Sequence, residues 1–191
     1  MKIGVLALQG DFEEHLRALE KCGVERMAVR LPQELDEVGG LIIPGGESTT
    51  IGKLMDRYGI SEKIRQRHAE GMPIYGTCAG LILLAKEIVA SQQTRLGLMN
   101  ITVERNAYGR QIDSFEADVL APRLGEVPLR AVFIRAPVVR EVASSVEVLA
   151  THDNVPILIQ EGNLLASSFH PELTDDLRVH RYFLDTVRKS L

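Results

Sequence analysis

Three short apolar runs, each ending in a glycine turn, constrain this chain more than any other feature. "KIGVLAL" (2–8) runs into Gln9-Gly10-Asp11, "GLIIPGG" (40–46) ends in its own glycines, and "PIYGT" (73–77) runs into Cys78-Ala79-Gly80. None of them alternates polar with apolar residues. Such runs suit strands covered on both faces, which is the condition of a parallel sheet. Helical patterns stand between them. In "DFEEHLRALEKCG", Phe12, Leu16 and Leu19 share one face. Asp11 is a candidate N-cap with Glu14 completing a capping box, and Gly23 is a stop. "RMAVRL" (26–31) reads as a further strand. Ser48 is a candidate cap for a helix to about Tyr58, "SEKIRQRHAEG" (61–71) continues helical, and "LILLA" (81–85) opens another helix. This β-α-β-α order predicts an α/β fold, a mostly parallel sheet with helices on both faces.

The second half changes character. "SFEADVL" (114–120), "AVFIRAP" (131–137), "SVEVLATHD" (145–153), "VPILIQEG" (155–162) and "NLLASSFHPE" (163–172) read as strands, several of them antiparallel additions to the sheet. "TDDLRVHRYFLDTVRK" (174–189) reads as a closing helix. Thr174 would cap it, Asp175 and Asp176 would lie in its first turn, and Val179, Phe183 and Val187 would share one face. Without a repeat or linker, the 191 residues are expected to form a single domain, 1–191.

Composition narrows the function. The net charge is −4 and there is no basic run, so nucleic acid is not expected as a partner. The longest apolar stretches are too short to span a bilayer, and the N-terminus reads as a strand rather than a signal peptide. Two cysteines cannot build a disulfide framework, which suits a reducing cytoplasm. No Cys/His spacing points to a metal.

The sharpest local feature is G-x-C-x-G at residues 76–80, the thiol counterpart of a nucleophile elbow at a strand-to-helix junction. Such a turn strains its central residue and leaves no room for side chains two positions to either side. It would lift the sulfur above the carboxyl end of the sheet, where helix amides favour negative charge. The amide of Ala79 could then face an oxyanion. Taken alone, the pentapeptide leaves a buried structural cysteine equally open. Cys22, without an elbow, reads as packing.

A nucleophilic thiol needs a base, and the base needs an orienter. His15, His68 and His180 read as solvated residues on amphipathic helices, and His152 as a turn residue or rim contact. His170 differs. It ends the apolar "LLASSF" and precedes Pro171 and Glu172, so a carboxylate could turn back on the ring. Alone, His-Pro-Glu is a helix-entry turn; beside the elbow it becomes a candidate base with its orienter. "IIPGGEST" (42–49) adds a second glycine turn on the same sheet edge, whose amides at Gly45 or Gly46 could complete an oxyanion hole.

Together, "PGGEST", "GTCAGLILLA" and "SSFHPEL" resemble the class I (triad) glutamine amidotransferases, whose sheet is flavodoxin-like. "GVLALQGDFEEH", "RNAYGRQIDSFE" (105–116) and "FIRAP" (133–137) narrow the resemblance to the glutaminase subunits of the two-component pyridoxal 5′-phosphate synthases. It spans residues 3 to about 174. Tyr108, where the family suggests Phe, is a conservative departure. The resemblance implies that Cys78 is the nucleophile and that His170 and Glu172 complete the triad. It implies an oxyanion hole of Gly46 and Ala79, and a glutamine site formed by Gly46, Glu47, Ser48, Arg105, Ile134 and Arg135. Arg105 would take a carboxylate with its guanidinium fork. From the residues alone, Arg105 would be a surface charge and Ile134 core. Gln9 and Gly10 carry over as candidate interface or activation residues.

The implied reaction converts L-glutamine and water to L-glutamate and ammonia. The ammonia would pass to a (β/α)₈-barrel synthase subunit in a hetero-oligomer. Pyridoxal 5′-phosphate would be a product of that complex, with no cofactor or metal on this chain. Two other activities fit parts of the pattern: a glutaminase for another synthase, and a DJ-1/PfpI-like cysteine hydrolase, in which the His-x-Glu pair is not expected. An inactive binding module is disfavoured by the intact Cys78, His170 and Glu172.

Overall fold

The computed structural model describes residues 1–105 and 114–190. Its centre is a seven-stranded sheet. From one edge the strands run β10 (Glu147–His152), β11 (Val155–Glu161), β12 (Leu164–Ser167), β4 (Ile74–Thr77), β3 (Gly40–Ile43), β1 (Lys2–Leu6) and β2 (Glu25–Val29). The five strands from β12 to β2 are parallel, while β11 and β10 are added antiparallel. The expected mixture of a parallel core with antiparallel additions is therefore what forms. The order β2-β1-β3-β4 reverses direction between β1 and β3, the kind of switch point at which open α/β sheets leave a crevice beyond the carboxyl ends of their strands.

The continuous apolar runs do what such runs should. Ile3, Val5, Ile42, Tyr75 and Leu165 face one apolar layer, and Leu6, Leu41, Ile43, Ile74 and Leu164 face the other. The first layer is covered by α1 (Phe12–Lys21) and α5 (Arg178–Ser190). The second is covered by α2 (Ser48–Arg57), α3 (Ile60–Ala69) and the short α4 (Ala79–Leu84). On α5, Val179, Phe183 and Val187 are all buried, as their spacing predicts. Each such side chain stabilises the fold by about 1.5–3 kcal/mol relative to an exposed one. Among the described residues no helix is long and apolar enough to cross a membrane.

Among the described residues, two smaller sheets accompany the large one. One consists of β5 (Ala85–Ile88), β6 (Met99–Glu104) and β9 (Val138–Val142). The other pairs β7 (Ser114–Val119) with β8 (Leu129–Ile134). No local pattern in the sequence announces β5, β6 or β9. In β5 the apolar "LILLA" hides the change, because α4 stops after Leu84. The carbonyls of Leu83 and Leu84 accept the amides of Leu96 and Leu98, at 2.7 and 2.9 Å, so a neighbouring segment draws the chain out of the helix.

Three helix starts also differ from expectation. Asp11 precedes α1 but makes no side-chain capping bond. Glu47, not Ser48, caps α2: its carboxylate accepts the amides of Thr49 at 3.1 Å and Thr50 at 2.7 Å. The last helix begins at Arg178, four residues beyond Thr174. The Thr174 hydroxyl instead accepts the Asp176 amide, and the Asp176 carboxylate accepts the Arg178 amide.

Candidate active site

Cys78 sits at the junction of β4 and α4 with φ 48° and ψ −98°, a backbone conformation that side-chain-bearing residues rarely adopt. The surrounding glycines make that conformation possible. A β-carbon on Gly76 would lie 2.6 Å from the Gly80 carbonyl group, and one on Gly80 would fall on the Ile43 carbonyl oxygen. The elbow is tied to the next strand, since the Cys78 amide donates to the Ser167 carbonyl at 2.8 Å. The sulfur points towards the Ile134 carbonyl oxygen, 3.9 Å away. Ala79 opens α4, so its amide belongs to the first turn, whose donors have no partner within the helix.

His170 follows β12, the strand beside β4, and its amide is fixed to the Val132 carbonyl at 2.8 Å. Its Nδ1 is 2.7 Å from Glu172 Oε1, and both side chains are buried. Burial alone would lower the basicity of the imidazole. Its interactions with Cys78 and then with Glu172 overcome this and lift the pKa to about 10. Burial pushes the Glu172 carboxyl up, against the bond from His170 that holds it down. The ring is therefore poised as an imidazolium between a sulfur and a carboxylate.

The third component is the turn after β3. Gly46 has φ +144°, and a β-carbon on Gly45 would strike His170 Cε1. The turn is held from the loop after β1. The Asp11 amide donates to the Gly45 carbonyl at 3.1 Å, and the Glu47 amide donates to Gln9 Oε1 at 2.8 Å. A β-carbon on Gly10, itself at φ +96°, would fall on the Gly45 carbonyl oxygen. Gln9 and Gly10, expected at an interface, thus also hold this glycine turn within the chain.

These elements enclose a cavity of about 440 Å³ lined by Gln9, Gly10, Asp11, Gly46, Glu47, Ser48, Cys78, Ile82, Arg105, Ile134, Arg135 and His170. All of the residues expected to bind glutamine line it. Arg105 is not a free surface charge. Its Nη1 donates to Thr49 Oγ1 at 3.2 Å and to Gln93 Oε1, and Nη2 is 3.5 Å from the Glu47 carboxylate. Hydrogen bonds to Glu47, first from the Thr50 hydroxyl, hold its carboxyl at about 2. Ile134 is exposed at the rim rather than buried in the core, and the adjacent Arg135 has φ 43°. Two strained non-glycine residues, Cys78 and Arg135, thus meet at one cavity, as backbone strain tends to gather at functional sites. The rest of "RNAYGRQIDSFE" up to residue 113, with Tyr108, lies outside the described residues.

Three residues have surroundings that the sequence pattern does not announce. His15 and His180 are not solvated but completely buried. Asp11 holds the N-cap position of α1 without a side-chain capping bond, and its carboxylate stands 3.8 Å from His170 Nδ1. Its place just beyond the first apolar run was the available clue. His152 ends β10 and packs on the ring of Phe133. Asp11, His170 and Glu172 bring potential metal-ligating atoms within 4.8 Å of one another. His170 Nδ1 and Glu172 Oε1 are already bonded together, so a cation would have to break that pair.

The chain is similar to known proteins over nearly its whole length. The model of the SNO glutamine amidotransferase family matches residues 5–189. Pyridoxal 5′-phosphate synthase subunit PdxT of Thermotoga petrophila is 57% identical over 188 residues, covering 98% of this chain and 100% of that protein. The subunit of the same name from Carboxydothermus hydrogenoformans is 56% identical over 191 residues, all of both chains. A crystal structure of a glutamine amidotransferase superposes with a TM-score of 0.94 at 54% identity, covering 97% of this chain and 98% of the other. A putative GMP synthase component from Thermoplasma acidophilum, at 16% identity, shares the fold with a TM-score of 0.70, covering 99% of this chain and 94% of that one.

Proposed function

Since the chain belongs to the SNO glutamine amidotransferase family, we propose that it hydrolyses L-glutamine to L-glutamate and ammonia for pyridoxal 5′-phosphate synthesis. The observation that carries the chemistry is the buried His170–Glu172 pair at 2.7 Å beside the strained Cys78. In this reading the Cys78 thiolate attacks the side-chain amide carbon of glutamine. The carbonyl oxygen becomes an oxyanion, which the amides of Gly46 and Ala79 stabilise. His170 gives its proton to the departing nitrogen, ammonia leaves, and a γ-glutamyl thioester remains. His170, now neutral, takes a proton from water. The hydroxide so formed opens the thioester, releasing glutamate and the thiolate. Glu172 stays ionised and stabilises the imidazolium.

Arg105 receives the glutamine α-carboxylate. Its support from Thr49 and Gln93 suits this role, because both leave the guanidinium charged and fixed. Glu47, Ser48 and the main chain at Ile134 and Arg135 complete the glutamine site. Ammonia passes to a (β/α)₈-barrel synthase partner, and the free thiols suit a reducing cytoplasm. The partner also governs activity by reorienting the Gly45–Gly46 peptide, which the loop Gln9–Gly10–Asp11 grips from within the chain. Glycine makes such a flip inexpensive.

Glutamine turnover with and without a pyridoxal 5′-phosphate synthase barrel tests the reading. Hydrolysis should rise strongly when the barrel is added and vanish in Cys78→Ala. No stimulation by the barrel would remove the partner assignment, and retained hydrolysis in the alanine variant would remove the mechanism.

A further inference from the structure

Behind Glu172 the core contains a histidine pair that the proposed chemistry does not use. His15 of α1 and His180 of α5 are fully buried, and His15 Nδ1 is 3.0 Å from His180 Nε2. The other nitrogen of His15, Nε2, is 3.1 Å from Thr77 Oγ1 and 3.5 Å from Glu172 Oε2. Thr77 is the residue before Cys78. Glu172 Oε2 is buried and has no closer hydrogen-bonding partner among the described residues, while Oε1 of the same carboxylate binds His170. A row of side chains therefore runs from His180 through His15 and Glu172 to His170, crossing the apolar layer beneath the sheet.

The carboxylate that faces His15 Nε2 decides where the hydrogens sit. Suppose His15 carried its hydrogen on Nδ1 and donated to His180. The neutral His180 would then need its own hydrogen on Nδ1, a buried atom without a hydrogen-bonding partner among the described residues. The lone pair of His15 Nε2 would also face a carboxylate oxygen. A buried orphan N–H and a lone pair turned on a carboxylate are both unfavourable. In the opposite arrangement His180 donates Nε2–H to His15 Nδ1. His15 then directs Nε2–H at Thr77 Oγ1 and the facing Glu172 Oε2. The lone pair of His180 Nδ1 and the hydrogen of the buried Thr77 hydroxyl are then left over, but the carboxylate oxygen faces a donor instead of a lone pair, and a charged acceptor outweighs a hydroxyl hydrogen.

We infer that His15 is a positioning residue for Glu172: its Nε2–H steadies the second carboxylate oxygen, with His180 fixing the tautomer, so that Oε1 stays aimed at His170. Burial, reinforced by the charges of His180 and His170, keeps His15 well below its ordinary pKa, and burial holds His180 at about 4. Neutrality matters here. A cationic His15 would compete with His170 for the carboxylate charge, whereas a neutral donor orients the carboxylate and leaves its charge for His170. The inference rests on the glutaminase reading for its catalytic meaning, but its geometry can be tested separately.

Nuclear magnetic resonance of the full chain labelled with ¹⁵N-histidine reads the tautomer directly. The expected result near neutral pH is a neutral His15 with its hydrogen on Nε2. A cationic His15, or one protonated on Nδ1, overturns the proposal. Kinetics of the chain with its synthase partner supply the second arm. His15→Leu should lower kcat by about 10- to 100-fold, the scale of a small misplacement of a catalytic group. KM should stay close to wild type, and the far-downfield proton of the His170–Glu172 bond should shift or disappear. His15→Gln, whose amide can reach the same oxygen, should restore most of kcat and that resonance. A His15→Leu variant as fast as wild type overturns the positioning role, as does His15→Gln falling as far as His15→Leu. If both variants fail to fold, the tautomer in the unmutated chain decides. A wild-type complex that does not hydrolyse glutamine refutes the glutaminase reading and leaves the tautomer result standing on its own.

Discussion

Glu172 reaches His170 through a single carboxylate oxygen, Oε1 to Nδ1 at 2.7 Å, with only Pro171 between the two residues. Together with Cys78 this contact holds the imidazole charged up to about pH 10. Replacing Glu172 with Gln should therefore lower kcat on the order of 10²- to 10⁴-fold with little change in KM. It should also move the alkaline limb of the pH–kcat profile to lower pH. Stability follows the same sign. A histidine whose folded pKa lies above its ordinary 6.5 contributes stability that is complete below 6.5 and lost as pH rises towards 10. Melting temperatures across that window should fall more for the wild type than for His170→Asn.

Gly45 and Gly80 are both crowded, but by different neighbours. A β-carbon on Gly45 meets the His170 ring, and one on Gly80 meets the backbone of β3. Gly45→Ala should thus act mainly on activity, lowering kcat by about 10²-fold through a displaced base. Gly80→Ala should act mainly on the fold, with a loss of about 1–3 kcal/mol typical of overpacking. Denaturant midpoints set beside kcat separate the two effects.

Arg105 is held by Thr49, Gln93 and Glu47 at the cavity wall. Removing a charged hydrogen-bonding group of this kind costs about 1.5–3 kcal/mol of binding, so Arg105→Ala should raise KM for glutamine by roughly 10- to 150-fold. Arg105→Lys should fall between, since it keeps the charge and loses the fork. An effect on kcat alone would contradict a substrate-binding role.

Glu47 caps α2 while facing the cavity. Glu47→Ala should destabilise the chain by about 0.5–2 kcal/mol as a lost N-cap. The carboxyl is depressed to about 2 from 4.5, so the contribution is present above pH 4.5 and fades as pH falls towards 2. The melting-temperature gap between wild type and variant should close over that acid range, and solvent exposure and salt should keep it small.

The parts legible in the sequence were those written in local pattern. Runs apolar on both faces announced the parallel strands, and the glycines around Cys78 announced the elbow, because each rule concerns residues within a few positions of one another. What stayed hidden depends on distant partners. His15 sits among charged residues on an amphipathic helix, and nothing within α1 tells it from a surface histidine; His180 and Thr77 bury it from 165 and 62 residues away. The end of α4 was hidden for the same reason, since the amides that stop it come from Leu96 and Leu98. Ser48 is the cap that general propensity suggests, whereas the cap of α2 is the preceding Glu47, which follows directly on the glycine turn.

The tie between β4 and β12 gives the site its sense of length. Thr77 and Ser167 are partners on one rung, and the Cys78 amide continues the ladder to Ser167. The thiol is thereby mounted one residue past the end of β4, and its base three residues past the end of the neighbouring β12. The spacing between strands in a sheet is a constant of peptide chemistry, about 4.8 Å. The gap between nucleophile and base therefore inherits a standard gauge that loop sequences do not have to re-create. Side chains around the cavity can diverge to suit one acceptor of ammonia or another, and the reacting pair stays in calibration as long as those two strands remain neighbours.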